Sequence, residues 1–258
     1  MSNLFLNIKV DFSNPAYILW LIFALTFIIF FRYLIFSLAY HFTFFKVLKQ
    51  KFSKRFLHNK KLKKKQYRKE IYWSAISGLI FGGVSVLFYF LFVNNYTVIY
   101  TDVNAYSLLY IPISIFLFLF LQDTYYYWAH RWMHLPKVYK YFHLVHHKSI
   151  HTSAFTAFSF HPLETIMQAI FFPLVVLFLP IHLYAFLAVL GLMTVSATIN
   201  HGGVEIYPSG KFGNWFQKWI IGASHHDKHH TKFNYNYGLY FTFWDRLMNT
   251  EFEVEKKS

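Results

Sequence analysis

Histidines are concentrated in the second half of this chain, at spacings that could hold metal ions. Of the 15 histidines, thirteen lie between residues 130 and 230. HRWMHLPKVYKYFHLVHH, residues 130–147, contains one H-x-x-x-H pair and one H-x-x-H-H group, and HHDKHH, residues 225–230, contains another H-x-x-H-H group. Side chains three and four residues apart share one face of a helix, and neutral imidazole binds iron, zinc, copper or nickel. The spacing therefore predicts that each group directs two or three imidazoles at one metal site.

The number of these histidines favours two metal ions over one. A zinc ion takes four ligands and an octahedral ion takes six, whereas the three groups together supply eight. The ligands predicted from spacing are His130, His134, His143, His146, His147, His226, His229 and His230.

Acidic residues near the histidines are candidate hydrogen-bond acceptors for the metal ligands, because ligating imidazoles usually donate their second ring N–H. Asp123 lies seven residues before His130, two helical turns back on the same face of an apolar segment. An acid in such a segment is favoured as functional. The other acids nearby are Glu164, Glu205, Asp227 and Asp245. For Glu205 and Asp245, helix capping or pairing with Arg246 is an equally good interpretation.

The elements that must position these groups are predicted to be membrane helices. Apolar residues make up 56% of the 258 residues and charged residues only 14%, against roughly 25% charged in a globular domain. A spanning helix needs about 20 mostly apolar residues. Stretches near that length cover 16–40, 71–93, 106–129 and 163–200, and the last is expected to form two helices, 164–179 and 182–200. There Pro173 and Pro180 are predicted to break the run into a hairpin that does not necessarily cross the membrane.

The predicted fold is therefore all-α, a polytopic membrane helix bundle of about 4–5 transmembrane or hairpin helices with a cytoplasmic helical cap that holds the histidines. The predicted domains are an N-terminal membrane region, a catalytic region and a short polar tail, at residues 1–104, 105–250 and 251–258. The first apolar stretch is too long for a cleavable signal peptide and is interpreted as a retained anchor. The absence of cysteine excludes disulfides and thiolate metal sites.

Charge predicts the orientation of this bundle. The net charge is +14, and residues 46–69 carry twelve Lys or Arg and no acid. Since this run lies between two apolar segments, it is better explained as a cytoplasmic loop, 41–70, near anionic lipid headgroups than as a nucleic-acid site. Loop 94–105 contains no Lys or Arg and is predicted to lie outside. All the histidine groups then lie on the cytoplasmic side, where the basic face could attract an acidic electron-transfer partner.

Several motifs together resemble the fatty acid hydroxylase/sterol desaturase family of membrane oxygenases. They are the three histidine groups, FHPLE at 160–164, NHGGVE at 200–205 and the tail KFNYNYGLYFTFWDRLMNT at 232–250. The resemblance implies a centre of two iron ions, with zinc as a substitute in purified protein, that uses O2 and two electrons to hydroxylate or desaturate a C–H bond of a lipid. It implies an external donor, either a b-type cytochrome or a ferredoxin-like protein with its reductase. It also adds His201 and His225 as ligands and His161 as a further candidate, whereas Glu205 stands where some members have histidine.

Two other functions fit some of the same features. A membrane metal transporter would place its ligands near the bilayer midplane, whereas these groups lie at predicted helix ends. A zinc-dependent membrane hydrolase would need fewer histidines. The lipid remains open between sterol, fatty acyl, sphingolipid and carotenoid, although HTSAFTAFSFHPLE, residues 151–164, looks more like the sterol-desaturase arm. The membrane is predicted to be a bacterial inner membrane or the endoplasmic reticulum.

Overall fold

The computed structural model describes residues 11–58 and 62–252. Residues 1–10, 59–61 and 253–258, which include part of the basic loop and most of the predicted polar tail, lie outside the described residues. Across the described ranges the fold is a helix bundle, and the prediction of an all-α membrane protein is confirmed. The helices are α1 (Pro15–Phe42), α2 (Lys64–Val93), α3 (Tyr110–Met133), α4 (Pro136–Phe142), α5 (Leu144–His147), α6 (Pro162–Val175), α7 (Leu183–His201), α8 (Gly210–Gln217), α9 (Ala223–Lys232) and α10 (Phe243–Leu247). Short turns of π-helix and 3-10 helix cover Thr43–Val47, Ser53–Arg55 and Ala154–Phe158, and two strands are β1 (Ile99–Tyr100) and β2 (Ile181–His182).

Helices α1 and α2 pack closely against each other. The side chain of Asn14 accepts a hydrogen bond from the amide of Ala16, which caps α1, and Pro15 occupies the first turn, where its missing N–H costs nothing. Gly82 of α2 lies against α1 so tightly that a Cβ there would stand 2.2 Å from Thr26 Oγ1. Glycine at this position is therefore what allows the two backbones to approach.

Three segments of the described chain are long and apolar enough to cross a membrane, by length and composition: Pro15–Val47, Lys64–Val93 and Leu183–His201. The predicted third stretch, 106–129, forms α3 but falls outside this set. Its second half carries Gln122, Asp123 and His130, all buried in the protein. Part of α3 therefore contributes polar groups to the interior, as the position of Asp123 on the His130 face predicted.

The proline-containing hairpin forms from two helices as predicted, α6 and α7, and differs in the role of Pro173. Pro173 lies inside α6, which ends two residues later at Val175, so this proline does not break the helix. At the hairpin tip, β2 pairs in parallel with β1 of the α2–α3 loop, Ile99 opposite Ile181, and the hydroxyl of Tyr110 donates to Pro180 O at 3.0 Å. The α2–α3 loop lies at the end of α3 opposite His130. The hairpin of α6 and α7 therefore extends from the histidine end of the bundle to the other end.

An apolar core joins α3, α6 and α7 near this tip. Its buried members are Phe118, Phe171, Val175, Val176, Leu179, Ile181, Ala185, Phe186 and Val189. Burial of side chains of this size contributes about 1.5–3 kcal/mol each. This core fixes how α3 and α7 are placed relative to each other. At the end of each helix that lies away from this core, α3 carries His130 and α7 carries His201.

At the histidine end, the segment that follows α5 is held between α1 and α2. The hydroxyl of Tyr33 donates to Phe155 O at 2.9 Å and that of Ser37 donates to Ala154 O at 2.9 Å. Glu70 of α2, which is 2% exposed, accepts hydrogen bonds from four side chains around the same segment: Gln66, Ser149, Ser153 and Thr156. The N-terminal helices therefore help to position the polypeptide beside the second histidine group.

Candidate metal centre

Nine histidines converge in two clusters at the end of the bundle. The five-histidine cluster consists of His130, His134, His143, His147 and His229, and the four-histidine cluster consists of His146, His201, His226 and His230. Within each cluster, one ring nitrogen of every member lies within 4.8 Å of those of the others. All except His134 are buried. The fold therefore brings together nine of the ten histidines expected as ligands.

Each H-x-x-H-H group is divided between the two clusters, so the prediction that one group serves one site was wrong. From α9, His226 and His230 join the four-histidine cluster while His229 joins the other. A helix turns about 100° per residue. Viewed along the helix axis, the side chain at i+4 therefore lies about 40° to one side of the side chain at i, and the side chain at i+3 lies about 60° to the other side. The two clusters are adjacent as a result, with the rings of His147 and His230 centred 4.7 Å apart.

Backbone carbonyls fix the protonation of two rings in the five-histidine cluster. His130 Nδ1 lies 2.8 Å from Tyr237 O and His229 Nδ1 lies 2.8 Å from Tyr235 O. Because a carbonyl oxygen can only accept, each Nδ1 carries the proton. The lone pair of each Nε2 is then free for a metal ion.

The four-histidine cluster contains a contact that the protein alone does not satisfy. His201 Nδ1 donates to Ala197 O at 2.8 Å and His146 Nδ1 donates to Ser159 O at 3.3 Å, so both Nε2 atoms carry lone pairs. These two atoms face each other at 3.1 Å. Both could reach one ion at a metal–nitrogen length of about 2.1 Å, and a cation between them would replace lone-pair repulsion with two bonds. The donor set thus fits a bound metal.

A proton is a poor substitute for that cation. Burial, together with neighbouring histidines, lowers the pKa of His146 well below its ordinary value, and the same holds for His226, His229 and His230. The rings are therefore neutral near pH 7. Neutral imidazole is the form that binds metals, so burial prepares the clusters as ligand sets.

Glu164 lies where the sequence predicted an acceptor. Its Oε2 is 2.9 Å from Nδ1 of His143, and both side chains are fully buried. Glu164 is the last residue of FHPLE and lies in the first turn of α6. Gln168 donates to its other oxygen at 3.1 Å. A carboxylate that accepts from Nδ1–H orients the ring and raises the basicity of Nε2.

One of the ten expected ligands, His225, and the further candidate His161 lie outside the two clusters. His225 directs its Nε2 at Asp245 Oδ2, 3.5 Å away, because it lies beside His226 and so points about 100° away around α9. His161 is the residue before α6, and its Nδ1 accepts a hydrogen bond from the amide of Leu163. Both imidazoles therefore contact protein groups that lie outside the two clusters.

Three predicted acids also contact groups other than the clustered histidines. Asp227 pairs with His58 Nε2 at 2.6 Å. Glu205 accepts from the amides of Tyr207 and Ser224 at 3.0 and 2.9 Å, so it caps the start of α9, in agreement with the capping alternative. Asp123 contacts backbone amides of residues 239–241 and no histidine.

Sequence reasoning overlooked Glu70, His58 and the backbone acceptors. Glu70 has a visible signal, since it is the first acid after the basic run and directly precedes the apolar run 71–93. His58 stands alone in the sequence, and a carbonyl acceptor such as Ser159 O has no side-chain signature at all. His58 and the carbonyl acceptors can therefore be found only when the fold is known.

Comparison with known proteins identifies the family. A family model described as fatty acid hydroxylase matches residues 115–250. The chain is 32% identical to the Delta(7)-sterol 5(6)-desaturase ERG3B of Gibberella zeae over 211 residues, which cover 81% of this chain and 61% of that protein. It is 30% identical to lathosterol oxidase of Homo sapiens over 213 residues, covering 82% and 67%, and 32% identical to the Delta(7)-sterol 5(6)-desaturase ERG3 of Candida albicans over 203 residues, covering 77% and 50%.

The match thus spans between 50% and 67% of the length of these three relatives. No solved structure matches the chain. The family model covers more than half of the chain and includes every clustered histidine. The chain therefore belongs to the fatty acid hydroxylase/sterol desaturase family.

Proposed function

We propose that this chain is a membrane-bound lipid oxygenase that hydroxylates or desaturates a C–H bond of a sterol or related lipid, using two iron ions, O2 and two electrons from an external donor. The observation that carries this proposal is the pair of adjacent histidine clusters with lone pairs facing inward. Family membership and relatives named as sterol desaturases and lathosterol oxidase support the choice of lipid.

The bound iron ions would supply the oxidation of an unactivated C–H bond, chemistry that is the cofactor's and not the side chains'. The chain's own residues hold and shield them. Five and four imidazoles form the two ligand sets, and carbonyls such as Tyr237 O and Ala197 O keep the rings in the metal-binding tautomer. Burial of the clusters excludes water from the reacting centre. Zinc could occupy the same nitrogen ligands in purified protein.

The surface of α1 supports a lipid environment. Leu19, Trp20 and Phe23 are 66%, 65% and 70% exposed, which is costly in water and favourable in a bilayer. We propose that the histidine end faces the cytoplasm, because the basic segment lies at that end of α1 and α2. The membrane would be a bacterial inner membrane or the endoplasmic reticulum.

The direct test is reconstitution of the purified full chain with iron, a reductant and lipids of several classes. We expect oxygen-dependent product, measured by mass spectrometry as gain of one oxygen atom for hydroxylation or loss of two hydrogen atoms for desaturation. Removal of the metals with a chelator should abolish the product, and iron should restore it. Product that forms equally well without oxygen would contradict the proposal and favour a hydrolase, and metal flux across the vesicle wall would favour a transporter.

A basic cleft near the four-histidine cluster is the proposed docking point of the electron donor. The cleft has a volume of about 360 Å³, and its walls include Lys63, Lys65, Lys69 and Lys148. Ser159 also lines it, and the carbonyl of Ser159 accepts the hydrogen bond from His146 Nδ1. The positive charge of the cleft suits a donor with an acidic surface. Ser159 connects the cleft to the four-histidine cluster through a single hydrogen bond.

Replacing Lys65 and Lys69 together with glutamine should slow reduction by the donor about tenfold at low salt, because steering by opposite charges is lost. The measurement is the second-order rate constant of reduction over a series of salt concentrations. Lys137 and Lys140 lie on α4 outside the cleft, so their glutamine double variant is the matched control and should keep the normal rate. Equal rates for both variants, or a rate independent of salt, would contradict docking at the cleft.

A further inference from the structure

Two buried carboxylates hold five successive backbone amides after α9. Asp245 accepts from the amides of Tyr237 and Gly238, each at 2.8 Å. Asp123 accepts from those of Leu239, Tyr240 and Phe241 at 3.0, 2.7 and 3.2 Å. Both aspartates have no exposed surface, although they come from α3 and α10, more than a hundred residues apart in sequence. The backbone of 237–241 is therefore fixed from two sides.

The carbonyls that orient two clustered histidines come from the first residue of this stretch and from the residue two positions before it. Tyr237 O accepts from His130 and Tyr235 O accepts from His229, and both rings belong to the five-histidine cluster. In the four-histidine cluster, the backbone acceptors are instead those of Ala197 and Ser159. Among the described residues, the 235–241 segment thus bonds directly to imidazole rings of the five-histidine cluster only. Next to the four-histidine cluster its bonds go to the side chain of Asn200 and the carbonyl of His225, and not to a clustered ring.

We propose that Asp123 and Asp245 are positioning residues for the metal ion of the five-histidine cluster: they hold the 235–241 segment so that its carbonyls keep His130 and His229 in the metal-binding orientation. This inference rests on the proposed function, since it requires that the clusters hold metal. Gly238 shows how closely the segment is held, because a Cβ there would lie 2.6 Å from Phe241 O and 3.0 Å from Asp245 Oδ2.

The two aspartates differ in a way that makes the proposal testable. At Asp245, Oδ1 and Oδ2 each accept a backbone N–H, so an asparagine there would turn an amide NH2 against one of these donors. At Asp123, the three amides all bond to Oδ1, and Oδ2 is buried with no hydrogen-bond partner within the described residues. An asparagine at 123 keeps the one oxygen that the amides need.

The experiment measures iron content and ⁵⁷Fe Mössbauer spectra of the purified full chain and its variants. We expect two irons per chain in the unaltered protein. Asp245→Asn and Asp123→Ala should each retain about one, with the spectrum of the four-histidine site unchanged, because each removes an oxygen that holds the backbone. The conservative Asp123→Asn should keep both irons, and loss of iron in it to the level of Asp123→Ala would contradict the role given to Oδ1. His226→Ala, which removes a ligand of the four-histidine cluster, assigns the two spectral components.

Thr250→Val is the milder variant if Asp245→Asn does not fold, because Thr250 Oγ1 donates to Asp245 Oδ1 at 2.8 Å. It should alter the spectrum of the five-histidine ion alone, a selective change that a general loss of stability does not produce. Retention of both irons with unchanged spectra in Asp245→Asn, or equal loss of both ions, would overturn the positioning role. Fewer than two irons in the unaltered chain would instead count against the proposed function.

Discussion

Replacing His226 with alanine should remove the ion of the four-histidine cluster and abolish lipid oxidation, whereas replacing the adjacent His225 should preserve both. His226 Nε2 lies 2.9 Å from His201 Nε2 inside the cluster, while His225 points at Asp245. Loss of an outer hydrogen-bonding partner of a metal ligand costs roughly 10–100-fold. The loss of a ligand itself should exceed 100-fold, and His225→Ala should stay within about tenfold of the normal rate.

The two variants form a matched pair, since they change neighbouring residues of one helix by the same number of atoms. Iron per chain and turnover of the lipid substrate should be measured on both, with circular dichroism to verify that α9 is retained. The family resemblance implies both histidines as ligands, whereas only His226 lies in a cluster, so the contrast tests the structure and not the resemblance. Comparable loss of iron in both variants would show that His225 is also a ligand.

Glu70→Ala should be the most destabilising single substitution outside the histidine clusters. It leaves three buried hydroxyl donors without their acceptor, those of Ser149, Ser153 and Thr156. The half-buried Gln66 also loses a bond to Glu70, but it still donates to His151 O. An unpaired buried donor costs about 1–3 kcal/mol, and partial rearrangement of the hydroxyls should limit the total to about 4 kcal/mol. Native proteins are stable by only about 5–15 kcal/mol, so this is a large fraction of the whole.

Thermal unfolding of the purified chain in detergent is the measurement, with Glu70→Gln as the control. Glutamine keeps the shape and one oxygen acceptor, and Ser153 Oγ can accept from its NH2 group, so the loss should be about half as large or less. Gln66→Ala removes one donor only and should have a small effect. An unchanged midpoint for Glu70→Ala would show that residues 149–156 are held mainly by their contacts with α1.

The helices were predictable to the extent that they depend on local pattern. The apolar runs at 16–40 and 71–93 correspond to α1 and α2, and the segment after Pro180 became α7. The error at Pro173 arose because a proline near a helix end removes only one hydrogen bond, and Val175 and Val176 are buried in the core beyond it. The pairing of β1 with β2 joins residues eighty apart in sequence, and no local pattern predicts such a contact.

The sequence by itself determined that histidines at i, i+3 and i+4 lie on helix faces, and their number pointed to two ions, because both conclusions follow from helical geometry and ligand count. Only the tertiary structure decided how the nine rings are divided between the clusters, since that depends on how α5 and α9 are rotated against α3 and α7. It also placed His225 outside both clusters and Asp123 against the 239–241 backbone. The carbonyl acceptors of Tyr235 and Tyr237 belong to the backbone, which every residue carries, so only the folded path of the chain distinguishes them.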